Sequence, residues 1–362
     1  MADYRIVEPD VLEVLGHEVF VALGTPVDIA QEVAAHLVRA NLAGHDSHGA
    51  IRIPQYATMI VQGAIRPAAR PSIARQRGVA MLVDAGDGFG QFATAFALER
   101  AIERAAEQGA AVVAVRRANH IGRVGDYTEK AARRGYVAEV TVGAAGPGIG
   151  GAAPFGGAAR FLGTNPWSLG IPTADEPVVV DFATTVVAEG KVRVARAKRE
   201  ALPPGCIVDQ AGRASTDPED FYAGGMLLPF GGHKGYGLAL AAALFGGLAA
   251  IGESDPSMAG AAAPPTEKGE GDRIAGVFLL VVDPGAFGDR EAYPAAVSRV
   301  TTSLKRVTPS PGTPEVLLPG EPEARTRRQR LRQGIALPED TWQAIAEVAS
   351  GAGVTMPPTR SS

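Results

Sequence analysis

Between Val79 and Val142 the chain alternates β-like and helical runs, and at Gly143 the alternation stops. MLVDA is short and β-like. Phe92–Gly109 is Ala-rich with charges on its outer face, and Gly109 ends it as a helix. AVVAVRR is a strand of β-branched residues, Gly125–Arg134 a helix ended by Gly135, and YVAEVTV the next strand. Strand-helix-strand-helix-strand is the pattern of a dinucleotide-binding repeat, and Gly146, Gly148 and Gly151 then satisfy G-x-G-x-x-G. That fingerprint works only where a helix starts at the glycines, so that its free N–H groups face a pyrophosphate. AAPFGGAARF follows instead, and Pro154, Gly156 and Gly157 prevent a helix of useful length. No carboxylate stands about 20 residues on to hold a ribose; the nearest are Asp175 and Asp181. With 45 glycines in the chain a chance match is expected, and the Rossmann reading is set aside.

The flanks are simpler. Asp10 to Leu42 reads as two amphipathic helices, the second opened by Pro26, and the polar run GHDSHGAIRIPQY follows, which packing does not explain. The stretch Gly143–Gly157 is Gly/Ala/Pro-rich, strands lie near Ser168 and up to Thr184, and helix returns at Val187–Arg199. Leu202–Leu228 is mostly turns, Gly237–Ile251 a buried helix with small residues for close packing, and Ser254–Asp272 a surface loop. GVFLLVVDP is a buried strand, PGEPEARTRRQRLRQG a charged helix, and a last helix begins near Pro338.

Composition narrows the function. A net charge of -4 over 362 residues and 6% aromatic content argue against a nucleic-acid surface. The single cysteine, Cys206, excludes an internal disulfide or a multi-cysteine zinc site, and no base adjoins it, so it reads as structural. MADYRIVEPD has no apolar signal-peptide core, and Gly237–Ile251 is too short for a comfortable membrane span, so a cytoplasmic protein is expected.

Four polar clusters could carry chemistry. Asp46-Ser47-His48-Gly49 with Arg52 and Tyr56 sets a hydroxyl, an imidazole and a guanidinium within six positions. Histidine exchanges protons near neutrality, and arginine grips a carboxylate with two donors. The plain alternative is a helix cap beside a surface histidine. His45 and His48 alone are weak evidence for a metal, and none is expected. Asn119-His120-Ile121-Gly122-Arg123 follows a strand directly, and its alternative is a turn capped by Asn119. Gly163-Thr164-Asn165-Pro166 precedes the strand ending Asp181-Phe182-Ala183-Thr184; Asp181 could accept from a ribose hydroxyl, orient an imidazole, or simply cap the segment after Thr184. Pro229 to Gly237 carries four glycines around His233-Lys234 before a helix, a place for an anion or a solvated loop. His17 and His36 lie within helical runs and read as packing or surface residues.

Taken in order, SHG with Arg52 and Tyr56, then NHIG, GTNP, DFA and PFGGHKGYGL resemble the type-2 malate/L-lactate dehydrogenase family, from about Leu37 to Gly334. No single motif is specific; five in this order are. The resemblance implies an α+β fold with a non-Rossmann cofactor domain on a largely antiparallel sheet and a mainly helical domain from discontinuous segments. Residues 1–70 with 225–270 and 300–362 form the helical part, and 71–224 with 271–299 the sheet part. It implies a homodimer using NAD or NADP on a small 2-oxo/2-hydroxy acid, with a cyclic 2-imino acid reductase as the alternative. A binding protein that has lost catalysis is disfavoured by the presence of His48, His120 and Arg52. By motif, His48 resembles the proton donor of the imine-reductase branch with Ser47 as its relay, and His120 the acid/base of the ureidoglycolate branch. Arg52, Tyr56 and Thr164 fall to the substrate. The cofactor falls to His120, Ile121, Gly122, Arg123, Val124, Asp181, Phe182, Ala183 and Lys234, with a late loop at Thr308 and Gly312. Two positions depart from the pattern: Gly143-Ala144 stands where many members have Asn-Ser, and Lys191 where the imine-reductase branch has an aspartate.

Overall fold

The computed structural model describes residues 4–251 and 273–361, so the loop expected at Ser254–Asp272 lies outside the described residues. Strand β1 (Tyr4–Val7) leads to helices α1 (Pro9–Ala22) and α2 (Val27–Leu42). Two 3-10 turns, Asp46–His48 and Ala50–Arg52, run into α3 (Ile53–Val61). Then come β2 (Ser72–Arg77), β3 (Ala80–Asp84), α4 (Gly90–Gln108), β4 (Ala110–Arg116), α5 (Gly125–Arg133), β5 (Val137–Ala145), β6 (Trp167–Ile171) and β7 (Val178–Phe182). After α6 (Glu189–Lys198) follow β8 (Ile207–Val208), β9 (Ala214–Ser215), α7 (Pro218–Tyr222), β10 (Met226–Leu227) and α8 (His233–Gly247). The chain closes with β11 (Ile274–Val282), α9 (Ala292–Lys305), α10 (Glu321–Gln333), β12 (Ile335–Pro338), α11 (Glu339–Gly351) and β13 (Arg360–Ser361).

The large sheet has the order β2-β3-β4-β11-β5-β6-β7, and only β3–β4 pairs in parallel. Its centre is β11, whose apolar run suits a strand with neighbours on both sides. On one face α4 buries Ala93, Ala97, Leu98, Ala101, Ile102 and Ala105, a helical stripe set against Val83, Val113 and Leu279. Gly109 ends that helix in the left-handed region (φ 82), its N–H donating to Ala105 O at 2.8 Å. A second core joins α1, α2 and α3 to β12 and α11 through Leu12, Phe20, Leu37, Tyr56, Leu337 and Trp342. A third gathers Leu162, Val192, Ile207, Phe221 and Ala243 around Cys206, which is buried, with its thiol pushed up by desolvation.

Several expectations change on inspection. The strand expected to stop at Val142 runs on into the glycine-rich stretch: residues 143–145 are the end of β5, paired with Ile274, Ala275 and Gly276 of β11. Among the turns expected from Leu202 to Leu228 lie a small sheet, β10-β8-β9, and α7. Helix α8, grouped by sequence with the helical part, packs on β5 and β11. Nor is it buried all round. Ala239, Ala242, Ala243 and Gly246 face the sheet, while Leu244 (57%) and, just beyond the helix, Ile251 (71%) are exposed. An Ala/Gly run has no strong apolar side for sequence to reveal; the small side chains go inward because only they permit the approach.

That approach is backbone to backbone. A Cβ on Gly143 would lie 1.9 Å from Ala242 O, and one on Gly276 2.4 Å from Gly246 O. Gly237, exposed on the same helix, meets nothing within 4 Å. Gly143→Ala should therefore lower stability by about 1–3 kcal/mol through overpacking. Gly237→Ala should raise it by about 0.5–1 kcal/mol through helix propensity. Urea midpoints of the two variants, moving in opposite directions from wild type, check both; the same sign for both would refute the contact.

Candidate active site

The turn carrying Ser47, His48 and Arg52 is fixed from below. At the end of α2, Asn41 accepts from Ala50 N–H (2.8 Å) and donates to Asp46 (2.6 Å). Arg330 of α10 donates to Asn41 O (2.6 Å) and to both Asp46 oxygens (2.5 and 3.0 Å). Gly49 is needed because a Cβ there would overlap the Asn41 side chain, 2.2 Å away. The turn thus presents Ser47 Oγ 3.0 Å from His48 Nδ1. It also fixes the Arg52 plane, with Nε donating to Ser47 O (2.7 Å) and one Nη to Gln55 (2.6 Å).

Against it lies the loop from Arg117 to Val124, where no helix begins until Gly125. Asn119 does not cap a helix; its amide donates to the carbonyls of Ala64, Asp87 and Gly88 at 3.1, 2.8 and 3.1 Å. The imidazoles of His48 and His120 stack 5.4 Å apart, 20° from parallel. His120 Nδ1 meets Tyr56 Oη at 2.6 Å, and Tyr56 accepts from Gln91 at 2.7 Å. Tyr56 is therefore buried with its hydroxyl engaged by His120, and burial pushes its ionisation up to about 12.

The remaining motifs are linked to this pair one to the next. The Ile121, Arg123 and Val124 side chains are buried, as is Gly122, and Arg123 lies 3.4 Å from Asp181. Asp181 accepts from Gly125 N–H at 3.0 Å, so it caps α5 rather than the segment after Thr184. Burial raises its pKa, against the pull of Arg123. Thr184 donates to Thr164 O through both N–H (2.9 Å) and hydroxyl (2.8 Å), and Phe230 N–H donates to Thr184 O at 3.0 Å. Phe182 and Phe230 meet edge to face at 5.6 Å, with Ala183 half-buried beside them. Lys234 is exposed in the first turn of α8, which starts from positive-φ Gly231 and Gly232 without a side-chain cap. Helix α6 completes the ring: a Cβ on Gly190 would sit 3.0 Å from Ser47 Cβ. Thr308 and Gly312 lie on an exposed segment that no hydrogen bond among the described residues ties to this cluster.

Both imidazoles are held neutral. Burial, then the Arg52 charge, brings His48 down to about 3, and the same two causes put His120 well below its ordinary value. Arg52 has no carboxylate within ion-pair distance among the described residues, and burial works against its charge. A half-buried guanidinium beside two imidazoles has the chemistry to hold an anion whose neighbouring oxygen exchanges a proton.

The sequence pattern of the malate/L-lactate dehydrogenase family matches residues 7–346. The chain belongs to that family. Among malate/L-lactate dehydrogenase relatives, hydroxycarboxylate dehydrogenase B of Escherichia coli strain K12 is 35% identical over 340 residues, 93% of this chain and 91% of that one. The structure of sulfolactate dehydrogenase from Methanocaldococcus jannaschii aligns with a TM-score of 0.86 at 32% identity, covering 97% and 98% of the two chains. That of delta1-piperideine-2-carboxylate reductase from Pseudomonas syringae aligns at 0.81 with 30% identity, covering 95% and 99%. No helix among the described residues is long and apolar enough to cross a membrane.

Residues that sequence reasoning missed are Asn41, Gln91 and Arg330. Only Gln91 left a signal, as a polar residue heading a stripe of α4 that is apolar but for Thr94.

The neutral histidines make stability depend on pH. His48 takes up a proton on unfolding once the pH is below its unfolded value near 6.5, and does not in the fold until about 3. Its contribution is present above pH 6.5 and is lost as the pH falls. Wild type and His48→Asn should differ in slope by about 1.4 kcal/mol per pH unit below pH 6. Urea unfolding at pH 7.5, 6 and 5 measures this; parallel curves would mean that His48 is fully solvated.

Proposed function

We propose that this protein is an oxidoreductase that moves a hydride between the nicotinamide of NAD or NADP and C2 of a small, malate- or lactate-like 2-oxo/2-hydroxy acid. The observation that carries this reading is Arg52: a guanidinium fixed in plane, without a carboxylate partner among the described residues, next to His48 and His120. Arg52 holds the substrate carboxylate, which places the C2 oxygen at the imidazoles. In reduction a bound nicotinamide would supply the hydride to C2; the substrate carboxylate on Arg52 offsets the charge that helps hold His48 neutral, so the ring is protonated in the complex and gives the C2 oxygen its proton, with Ser47 orienting it. The residues fit a dinucleotide: Lys234 and the uncapped start of α8 suit phosphate, while half-buried His120, Phe182 and Ala183 are available to the rest of the cofactor. The reading takes the cofactor as held without a Rossmann fingerprint at Gly146–Gly151, and the lack of any helix between Gly151 and α6 supports this. The same reading takes the protein as a cytoplasmic homodimer.

A second reading, reduction of a cyclic 2-imino acid, draws on the Ser47–His48 hydrogen bond and the likeness to the piperideine-2-carboxylate reductase. Against it, the residue after Gly190 is exposed Lys191, which cannot take a proton from Ser47 as an aspartate could. Oxidation of NADH and NADPH, followed by absorbance across a panel of 2-oxo acids and piperideine-2-carboxylate, separates the two. Turnover of the imine alone would select the second, and no turnover of any would remove both.

Arg52→Ala should cost about 2–4 kcal/mol in kcat/KM, a charge-assisted contact left unmade, with cofactor Kd nearly unchanged. Loss of cofactor binding with an unchanged substrate KM would move Arg52 out of the substrate site. For His48, a carboxylate on Arg52 offsets one of the causes that hold its pKa down. In hydroxy-acid oxidation the acid limb of kcat should therefore lie at higher pH than that of kcat/KM. His48→Asn should lose the limb and His120→Asn keep it; the opposite pattern would transfer proton exchange to His120.

A further inference from the structure

A buried line of polar groups ends on His120. Gln91 is 0% exposed at the start of α4, with Nε2 2.7 Å from Tyr56 Oη. Tyr56 Oη is 2.6 Å from His120 Nδ1, and Gly122 N–H points at the same nitrogen from 3.3 Å. A backbone N–H can only donate, so Nδ1 is an acceptor. The tyrosine hydroxyl then gives its proton to Nδ1 and offers its lone pair to Gln91. The reverse order would set an Nδ1–H against the Gly122 N–H. Gln91 Oε1 is left buried without a partner, the group abandoned when the amide turns to donate. Packing alone does not ask for such an amide, because an orphaned buried oxygen is costly and a methionine would fill the space.

His48 is held differently. Its Nδ1 faces the Ser47 hydroxyl at 3.0 Å, which rotates to donate or accept. We infer that Gln91 is a positioning residue: acting through Tyr56, it locks His120 as the Nε2–H tautomer, leaving proton exchange to His48. The lock rests on hydrogen-bond geometry alone. Its use rests on the proposed hydride transfer: the His120 Nε2–H donates a hydrogen bond to the C2 oxygen and keeps its proton. The hydride goes to C2, and the proton that completes the hydroxyl leaves His48, which is protonated once the substrate carboxylate neutralises Arg52 and returns to the neutral ring. Tyr56 thereby serves His120 rather than the substrate.

The test uses the full-length protein labelled with 15N-histidine. Long-range proton–nitrogen correlations report the tautomer of each neutral ring, and the His120 signals are those absent from His120→Asn. Wild type at pH 7.5 should show Nε2–H only. Gln91→Leu should show a mixture with Nδ1–H, with kcat toward the best 2-oxo acid of the panel lowered about tenfold to a hundredfold. The NADH Kd should stay within about twofold, since positioning of the ring and not of the dinucleotide is at stake. Tyr56→Phe keeps the packing, removes only the hydroxyl and should give the same mixture. An Nδ1–H ring in wild type, or unchanged spectra in both variants, overturns the inference. If neither variant folds, the wild-type spectrum still decides. A locked Nε2–H ring in a protein that reduces no 2-oxo or 2-imino acid would uphold the lock and defeat the functional reading.

Discussion

The loop that carries His120 has no helix or strand of its own, and the site depends on how it is pinned. Three carbonyls share the Asn119 amide, His36 Nε2 accepts from Arg123 N–H at 3.0 Å, and Tyr127 Oη donates to Ile121 O at 2.5 Å. These partners come from α2, α5, the segment after α3 and the turn between β3 and α4. Each such bond is worth only about 1 kcal/mol net, but a buried group left without one costs about 1–3 kcal/mol, so the loop has few alternatives. Two glycines let it sink into place: a Cβ on Gly90 would lie 2.0 Å from Asn119 O, and one on Gly122 2.2 Å from His36 Nε2.

Beneath that loop, α2 is held over α5 by half-buried charges gathered on buried Asp126. Asp126 binds Arg39 at 2.8 and 3.1 Å, Lys130 at 3.1 Å and His36 Nδ1 at 3.2 Å, while Glu32 binds Arg39 and Lys130. Glu32, His36 and Asp126 have the donor set of a metal site, yet both carboxylates are already engaged by cations. Apolar residues could serve stability as well, since desolvation offsets much of the Coulomb gain. What the charges add is register. They keep His36 under Gly122, and through it the distance between the turn holding His48 and the loop holding His120.

Much of the site was legible because each motif is a polar cluster at the end of an element, where packing has no use for it. SHG, NHIG, GTNP, DFA and the Gly-rich run before α8 come together in space although more than a hundred residues separate the first from the last. Element ends were legible where chemistry forces them, as at Gly109, and at Gly135, which adopts φ 86 just beyond α5. Strand order was not: β11 inserts between β4 and β5, and periodicity says nothing about which strand is a neighbour. Nor did sequence say which way a side chain reaches. Asp181 sits at the end of β7 as expected, but it caps a helix that begins 56 positions earlier. Asn119 and Gln91 spend their amides on targets that only tertiary structure brings within reach.

The chain meets itself far from where it began. β1 is the middle strand of a sheet whose edges are β12 and β13, with Tyr4 opposite Pro338, and the core of the first three helices is completed by Trp342 and Ile345. At ordinary elongation rates of roughly 5–20 residues per second, a newly made β1 waits roughly 15–65 s for its partner strand. Throughout that interval the apolar side of the N-terminal helices stays unroofed on the ribosome. That core is therefore closed among the last events of biosynthesis, and a message cut short before Ile335 yields a protein whose turn from Ser47 to Arg52 is made over an open core.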